Sequence, residues 1–264
     1  MELICPICGM KLEQAERAFV CPHRHSFDIA RQGYVNLLTV QQKHSLNPGD
    51  TREQVLSRRA FLETGAYRPI VEAVNAAAEG HAGPILDVGC GEGYYAVRVA
   101  EHLNAQLTGL DISKEAVRCA AAQYKGHRWL CGTAAHLPIA DGSVGVLMSM
   151  FALTIPGEFR RVLKQDGIFI QVLAAQDHLM GLKSIIYPEI LLKEKDSVPT
   201  LEGFELVSSR KVRFEFTVEG AQIGNLLSMT PHFWRISAEG AKRLKETETL
   251  TDTASCVVNV YRPL

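Results

Sequence analysis

The chain has almost no net charge and no long apolar run. Its 28 Lys and Arg stand against 29 Asp and Glu, a formal net charge of -1, which removes the simple argument that a strongly basic protein seeks nucleic acid. The longest apolar run, residues 144–155, falls well short of the ~20 residues that span a bilayer. The first residues lack the basic-then-apolar pattern of a secretory signal, so a cytoplasmic chain without membrane association is expected. Internal repeats and low-complexity tracts are missing too. With 47% hydrophobic and 22% charged residues, the composition is that of a folded globular protein, not a disordered or fibrous one. In a reducing compartment the seven cysteines do not read as a disulfide framework, and clustered ones read as metal ligands.

Such a cluster opens the chain. In CPICGMKLEQAERAFVCPHRH, residues 5–25, Cys5 and Cys8 are followed by Cys21, with His23 and His25 close behind. Tetrahedral zinc needs four soft ligands brought together by tight turns, and Cys-x2-Cys knuckles supply backbone amides that also hydrogen-bond the sulfurs. Cys5, Cys8, Cys21 and His25 make one closed, structural set, and His23 is the competing fourth ligand. A segment of ~30 residues has too little core to fold alone, so the metal would supply its folding free energy. Between Arg17 and His44 the ionised residues are Arg17, Arg24, Arg31 and Lys43 against Asp28 alone. That excess fits either a polyanionic partner or an ordinary solvated face.

At 264 residues the natural division is a main domain with a small appendage: a zinc-binding module over residues 1–35, a linker with helices over 36–80, and a catalytic domain over 81–264. Residues 33–50, ending in NPGD, carry turn formers and little periodicity and read as a linker or surface-laid loop. Thr51 is placed to cap a helix running to about Glu63, and a second helix, with Pro69 in its first turn, runs from Tyr67 to about Glu79. From Pro84 short apolar runs alternate with helical stretches: PILDVG, a helix from Tyr94, AQLTGLD, a helix from Ser113, RWLCG, VGVLMSM, a helix near Glu158, and GIFIQVLA. This alternation predicts an α/β fold with a mostly parallel sheet covered on both faces. Beyond Ala175, strand segments are expected at residues 204–218 and 254–261, adding an antiparallel edge.

In ILDVGCGEGYY a buried strand ends at Asp87, and Gly89, Gly91 and Gly93 precede a helix. Glycines let the backbone approach a ligand closely, and doubly wound sheets bind ligands beyond the carboxyl ends of their strands. The spacing is not the dinucleotide Gly-x-Gly-x-x-Gly, and the Lys-Ser/Thr of a phosphate loop is missing. Asp111 closes the second strand, where a carboxylate can accept both hydroxyls of a ribose, so the pair of features suits a nucleoside. Cys90 has no base partner and reads as a packing residue; Cys119, Cys131 and Cys256 read as small hydrophobes. His102, His127 and His178 stand alone and read as surface or satisfied histidines.

Residues 85–93 together with Asp111 resemble the cofactor motif of class I S-adenosylmethionine-dependent methyltransferases. The resemblance implies a Rossmann-like sheet in which Asp87 and the glycine loop (Gly89, Gly91, Gly93) face the methionine part, Asp111 the ribose and Ile112 the adenine. Tyr94, next to the loop, reads either as packing on the cofactor or as a core helix residue. CGTAAHLP, residues 131–138, is similar to the loop flanking the adenine and brings Thr133 and Ala134 to it, although many relatives have an aspartate at Thr133.

Joined to the zinc module, this core resembles the bacterial 23S ribosomal RNA guanine-N1 methyltransferases along nearly the whole chain: CPICG, CPHRHSFDIARQGYVNLL, NPGD, RRAFLETGAYRPI, LDVGCGEGYY, HLMGLKSIIYPE and LLSMTPHFWR follow that family's order. The implied activity is methyl transfer from S-adenosylmethionine to N1 of a guanine in a hairpin of 23S ribosomal RNA, by a homodimer whose zinc modules, one structural Zn2+ per chain, help grip RNA. Phe27, Tyr34, Arg24 and Arg31 are candidate RNA contacts. Guanine N1 carries a proton at neutral pH, so a proton acceptor is required that no motif names. A Pro-Pro tetrad for exocyclic amines is missing after VGVLMSM, as is a cysteine nucleophile suited to a pyrimidine C5. Two stretches depart from the family pattern: Phe151, Ala152, Leu153 and Thr154 where an Ala-Pro pair is usual, and residues 173–177 where a Thr-Pro and an Arg precede the His-Leu pair. They leave open a small molecule or another RNA as acceptor, or a non-catalytic RNA-binding relative.

Overall fold

The computed structural model describes residues 1–43, 45, 47–190 and 196–264. Three short antiparallel strands, β1 (Glu13–Gln14), β2 (Ala18–Val20) and β3 (Ser26–Asp28), form the N-terminal module. The rest is built on an eight-stranded sheet. Its members are β4 (Tyr34–Asn36), β5 (Ile85–Val88), β6 (Leu107–Asp111), β7 (Arg128–Cys131), β8 (Val144–Met150), β9 (Leu163–Ala174), β10 (Phe204–Glu219) and β11 (Thr249–Pro263). They run in the order β10-β11-β9-β8-β5-β6-β7-β4. Pairing is parallel from β4 to β9, and β11 is antiparallel to both of its neighbours.

The central strands are apolar on both faces because helices cover both. Every residue of β5 and of β8 is buried, which excludes the alternating pattern of a half-wet strand. The covering helices are α1 (Arg52–Leu62), α2 (Arg68–Ala78), α3 (Tyr94–Leu103), α4 (Lys114–Gln123), α5 (Pro156–Val162), α6 (Met180–Ile186), α7 (Ala221–Ser228) and α8 (Ala238–Glu246). Two caps fall where the sequence puts them: Thr51 closes a capping box with Gln54 at the start of α1, and the Ser113 hydroxyl accepts from the Ala116 amide at the start of α4. The antiparallel edge formed by β10 and β11 is also as expected. Strand order reverses on either side of β5, which opens a crevice beyond its carboxyl end. Among the described residues no helix is long and apolar enough to cross a membrane.

The stretch expected to be a linker is partly sheet. Tyr34–Asn36 pairs in parallel with β7 and becomes an eighth, edge strand, and the Leu37 amide continues the ladder to the Cys131 carbonyl at 2.8 Å. Tyr34 is thereby buried to 6% exposure, so it is a core residue and not the RNA contact the sequence suggested. The part of the linker reading that falls on His44 and Leu46 lies outside the described residues. The N-terminal module is seated on this edge: Leu3 bridges Ile139, the Ile4 amide donates to the Pro138 carbonyl at 3.0 Å, and Phe19 and Cys21 share one apolar cluster with Val35, Leu37 and Leu130.

Candidate active site

The metal centre is assembled by two turns of the N-terminal module. Sγ of Cys5, Cys8 and Cys21 and a ring nitrogen of His25 lie within 4.8 Å of one another. His25 Nδ1 is 3.5 Å from Cys5 Sγ and 3.4 Å from Cys21 Sγ, and the Cys8 and Cys21 sulfurs are 3.7 Å apart. Zn–S bonds of about 2.3 Å and Zn–N bonds of about 2.0 Å at tetrahedral angles require ligand separations of about 3.5 to 3.8 Å, so the four atoms fit a structural zinc. His25, not His23, completes this set. The Arg24 backbone between them has φ 65, a left-handed turn that brings Cys21 and His25 together.

The donor site lies beyond the carboxyl ends of β5 and β6. A cavity of about 310 Å³ is lined by Gly89, Gly91, Asp111, Ile112, Thr133 and Ala134, with Asp50, Arg58 and residues 150–153 closing the other side. Asp111 is held by two amides: Gly91 N–H donates to Oδ2 and Ser113 N–H to Oδ1, each at 2.8 Å. Each carboxylate oxygen keeps a second lone pair, which is what two ribose hydroxyls require. Gly89, at φ +79, approaches so closely that an added Cβ would stand 2.5 Å from the Ala152 Cβ.

Asp87 sits behind the loop at 1% exposure, and its Oδ1 has no hydrogen-bond partner. Burial pushes its carboxyl up to about 8, with the charge of Asp111 adding to the effect. A buried carboxylate with an open acceptor position fits a cationic ligand group such as an ammonium. Arg58 Nε is likewise buried without a partner, while its NH2 donates to Asp50 Oδ2 at 2.5 Å, which places a guanidinium where a ligand carboxylate can be paired. An amino-acid zwitterion joined to a nucleoside therefore matches the polar groups present.

Three of the expected cofactor residues are set back from the cavity wall: Asp87, already placed behind the loop, Gly93 and Tyr94. Gly93 is the left-handed cap of α3 at φ 92, pressed against Trp129, where an added Cβ would stand 2.6 Å from the indole. Tyr94 begins α3 with its side chain directed into the interior, 4% exposed and with the Arg98 guanidinium 3.7 Å from its ring centroid. Both shape the loop from behind. Asp50 and Arg58 were not singled out as site residues from sequence: both lie in segments quoted for their family likeness, NPGD and RRAFLETGAYRPI, but no local spacing marks either as reaching the β5–β6 crevice.

A second, larger cavity of about 680 Å³ adjoins the first, with Asp50, Arg58, Phe151 and Ala152 lining both. Its remaining walls include Tyr67, Leu173, Ala174, His178, Met229, His232 and Trp234. Both stretches that depart from the family pattern border it. Phe151 has φ 56 and is 37% exposed, an aromatic residue in a strained conformation between the two cavities. His178, read from sequence as an isolated histidine, packs its ring on that of Phe151 at 6.1 Å and 26°. Cys90 is buried against the loop, as its packing reading expected.

A strand order reversing at the first βα loop, a glycine-rich turn there and an acidic residue closing the next strand define a class I S-adenosylmethionine-dependent methyltransferase. The family model described as "Methyltransferase domain" matches residues 85–167, and that described as "RlmA, N-terminal", a zinc ribbon, matches residues 3–46. A protein of Micromonospora griseorubida, named by inference a 23S rRNA (guanine-N(1)-)-methyltransferase, is 34% identical, with 99% of this chain and 97% of the relative covered. The 23S rRNA (guanine(748)-N(1))-methyltransferase of Streptomyces fradiae is 32% identical over 99% of this chain and 97% of its own. Among solved structures, a Haemonchus contortus phosphoethanolamine N-methyltransferase 2 aligns with a TM-score of 0.50 at 14% identity, covering 81% of this chain and 58% of that one, a likeness of fold. The chain belongs to the 23S rRNA guanine-N1-methyltransferase family.

Proposed function

We propose that this protein transfers a methyl group from S-adenosylmethionine to N1 of a guanine in a hairpin of 23S ribosomal RNA. The observation that carries the reading is the pair of adjoining cavities: one matched to an amino-acid nucleoside, the other wide enough for an extruded base, with Phe151 and Ala152 between them. Class I enzymes of this kind take their methyl group from a sulfonium, and the chain's own part is to bind, align and manage a proton. Asp87, Asp111 and the glycine loop hold the donor. Arg58 pairs its carboxylate end. Phe151 gives the target base an apolar face to stack on, as enzymes acting on flipped bases require. Asp50 is the one carboxylate, among the described residues, that lines both cavities, and we assign it the role of accepting the N1 proton.

The N-terminal module adds RNA-facing surface, with Arg24 and Arg31 exposed on it and Phe27 half-buried at its edge. The same proposal includes the division at residues 35 and 80, a homodimer and a cytoplasmic location. Sedimentation of the zinc-loaded protein tests the dimer. For the activity, ribosomal RNA lacking the modification is incubated with methyl-labelled donor. Label recovered as 1-methylguanine, with a primer-extension stop at the modified base, is the expected result; label in a metabolite extract but not in RNA would displace it.

A further inference from the structure

Resting on the reading just given, we propose that Trp234 is a positioning residue for the RNA: it stacks on the loop base next to the target guanine and so keeps the extruded guanine in the acceptor cavity. The chain has two tryptophans. Trp129 is a core residue, 1% exposed, whose indole N–H donates to the Tyr124 carbonyl at 3.0 Å. Trp234 is 69% exposed and lines the acceptor cavity. A large aromatic surface left in water beside a cavity is what a nucleobase face can cover.

The indole is presented on a braced turn. Residues Pro231–Trp234 form a single 3-10 turn entered through proline, with the Phe233 amide donating to the Thr230 carbonyl at 3.2 Å and the Arg235 amide to that of His232 at 2.9 Å. The Thr230 hydroxyl ties the turn to α7 through the Leu227 carbonyl at 2.8 Å, and Tyr187, which caps α6, bonds His232 at 2.8 Å. Phe233 meets the Trp234 ring edge-on, centroids 5.0 Å apart, and leaves most of the indole bare. A ring with two side-chain torsions on such a turn loses little freedom when a base covers it.

Position decides which base. Phe151 lines both cavities and is 37% exposed, whereas Trp234 lines the acceptor cavity alone and is more exposed, so Trp234 stands at the mouth. The base on Phe151 is the one beside the methyl donor, and the base on Trp234 lies outside the reaction position. Extruding one base strips its neighbour of a stacking partner, and the indole replaces that partner. Arg235, exposed next in the chain, puts a positive charge beside the backbone of that nucleotide.

The test uses zinc-loaded, full-length protein and an unmodified ribosomal RNA fragment carrying the guanine located by primer extension. Adding the fragment should quench tryptophan emission and shield it from acrylamide, and Trp234→Phe, which leaves only Trp129, should abolish the change. Trp234→Ala should raise the KM for the fragment by about 5- to 150-fold, the range for one lost base stack, and lower kcat less, with donor affinity by calorimetry unchanged. Trp234→Phe should recover most of that loss. A fragment abasic at one neighbour of the target should be as poor a substrate for the wild type as the intact fragment is for Trp234→Ala, and the two losses should not multiply. A Trp234→Ala variant with unchanged KM, losses that multiply at both neighbours, or emission shielded by protein concentration without RNA, the mark of contact between copies, would each overturn the assignment. Wild-type protein that methylates no RNA overturns the functional reading itself; wild-type protein that methylates the fragment while its emission ignores it overturns the stacking alone.

Discussion

Asp87 is a carboxyl held away from water, and its burial carries an electrostatic cost. Its ordinary value is 3.8 and burial raises it to about 8, so between those pH values the folded chain holds a proton that the unfolded chain has released. Stability of the ligand-free protein should therefore fall as pH rises through that window, and Asp87→Asn should flatten the trend in thermal melts. In the proposed reading, binding of S-adenosylmethionine puts a cation near this carboxyl and expels the proton. Affinity should rise with pH up to about 8, by at most tenfold per unit, with proton release visible when calorimetry is repeated in buffers of different ionisation enthalpy. At Gly89 the backbone is left-handed and an added methyl would collide with Ala152, which walls both cavities. Gly89→Ala should cost about 1–3 kcal/mol in melts and abolish donor binding, since the displaced atoms belong to the site itself.

At the scale of elements, α1 brings Arg58 to the crevice. The helix is started by the Thr51 and Gln54 capping box, and Arg59 bonds Glu63 on its own helix and Gln123 on α4. Thr51→Ala should destabilise by about 1 kcal/mol and, in the proposed reading that Arg58 pairs the donor carboxylate from that helix, raise the KM for the donor more than it lowers kcat. Strands β5 to β9 were legible because each has a short, mostly apolar core, and β5 and β8 are buried along their whole length. Tyr34–Asn36 was not. Three residues show no period, and their strand character exists only because β7 offers an unpaired edge. The departing stretches at residues 151–154 and 173–177 are also decided by contacts distant in sequence: the Gln171 amide donates to Thr154 Oγ1 at 2.9 Å, and Asp177 joins Ser255, Lys211 and Arg213.

For the molecule as a whole, the metal centre and the catalytic sheet are one packed body. Leu3, Cys5, Leu12, Phe19 and Cys21 share an apolar cluster with Leu86, Leu110 and Leu130, and β4 ties the two ends together. Stripping zinc with a chelator should melt the module, expose that cluster and lower the melting temperature by several degrees. Donor binding, built on β5, β6 and α1, should weaken less than RNA methylation does. Calorimetry and label transfer on the same stripped sample check this ordering.

Local chemistry was enough to identify the metal ligands, because thiolates and imidazole three to four residues apart declare themselves, and enough to find the glycine loop and Asp111, whose spacing is that of one βα unit and the next strand end. It also carried the parallel sheet, since burial on both faces leaves unbroken apolar runs. The choice of His25 over His23, the retreat of Tyr94 into the core and the whole acceptor pocket were settled in three dimensions. Asp50, Arg58, Tyr67, Phe151, His178 and Trp234 come from loops and helices spread over most of the chain. No period links them: they meet because the tertiary fold gathers these separate segments around one cavity.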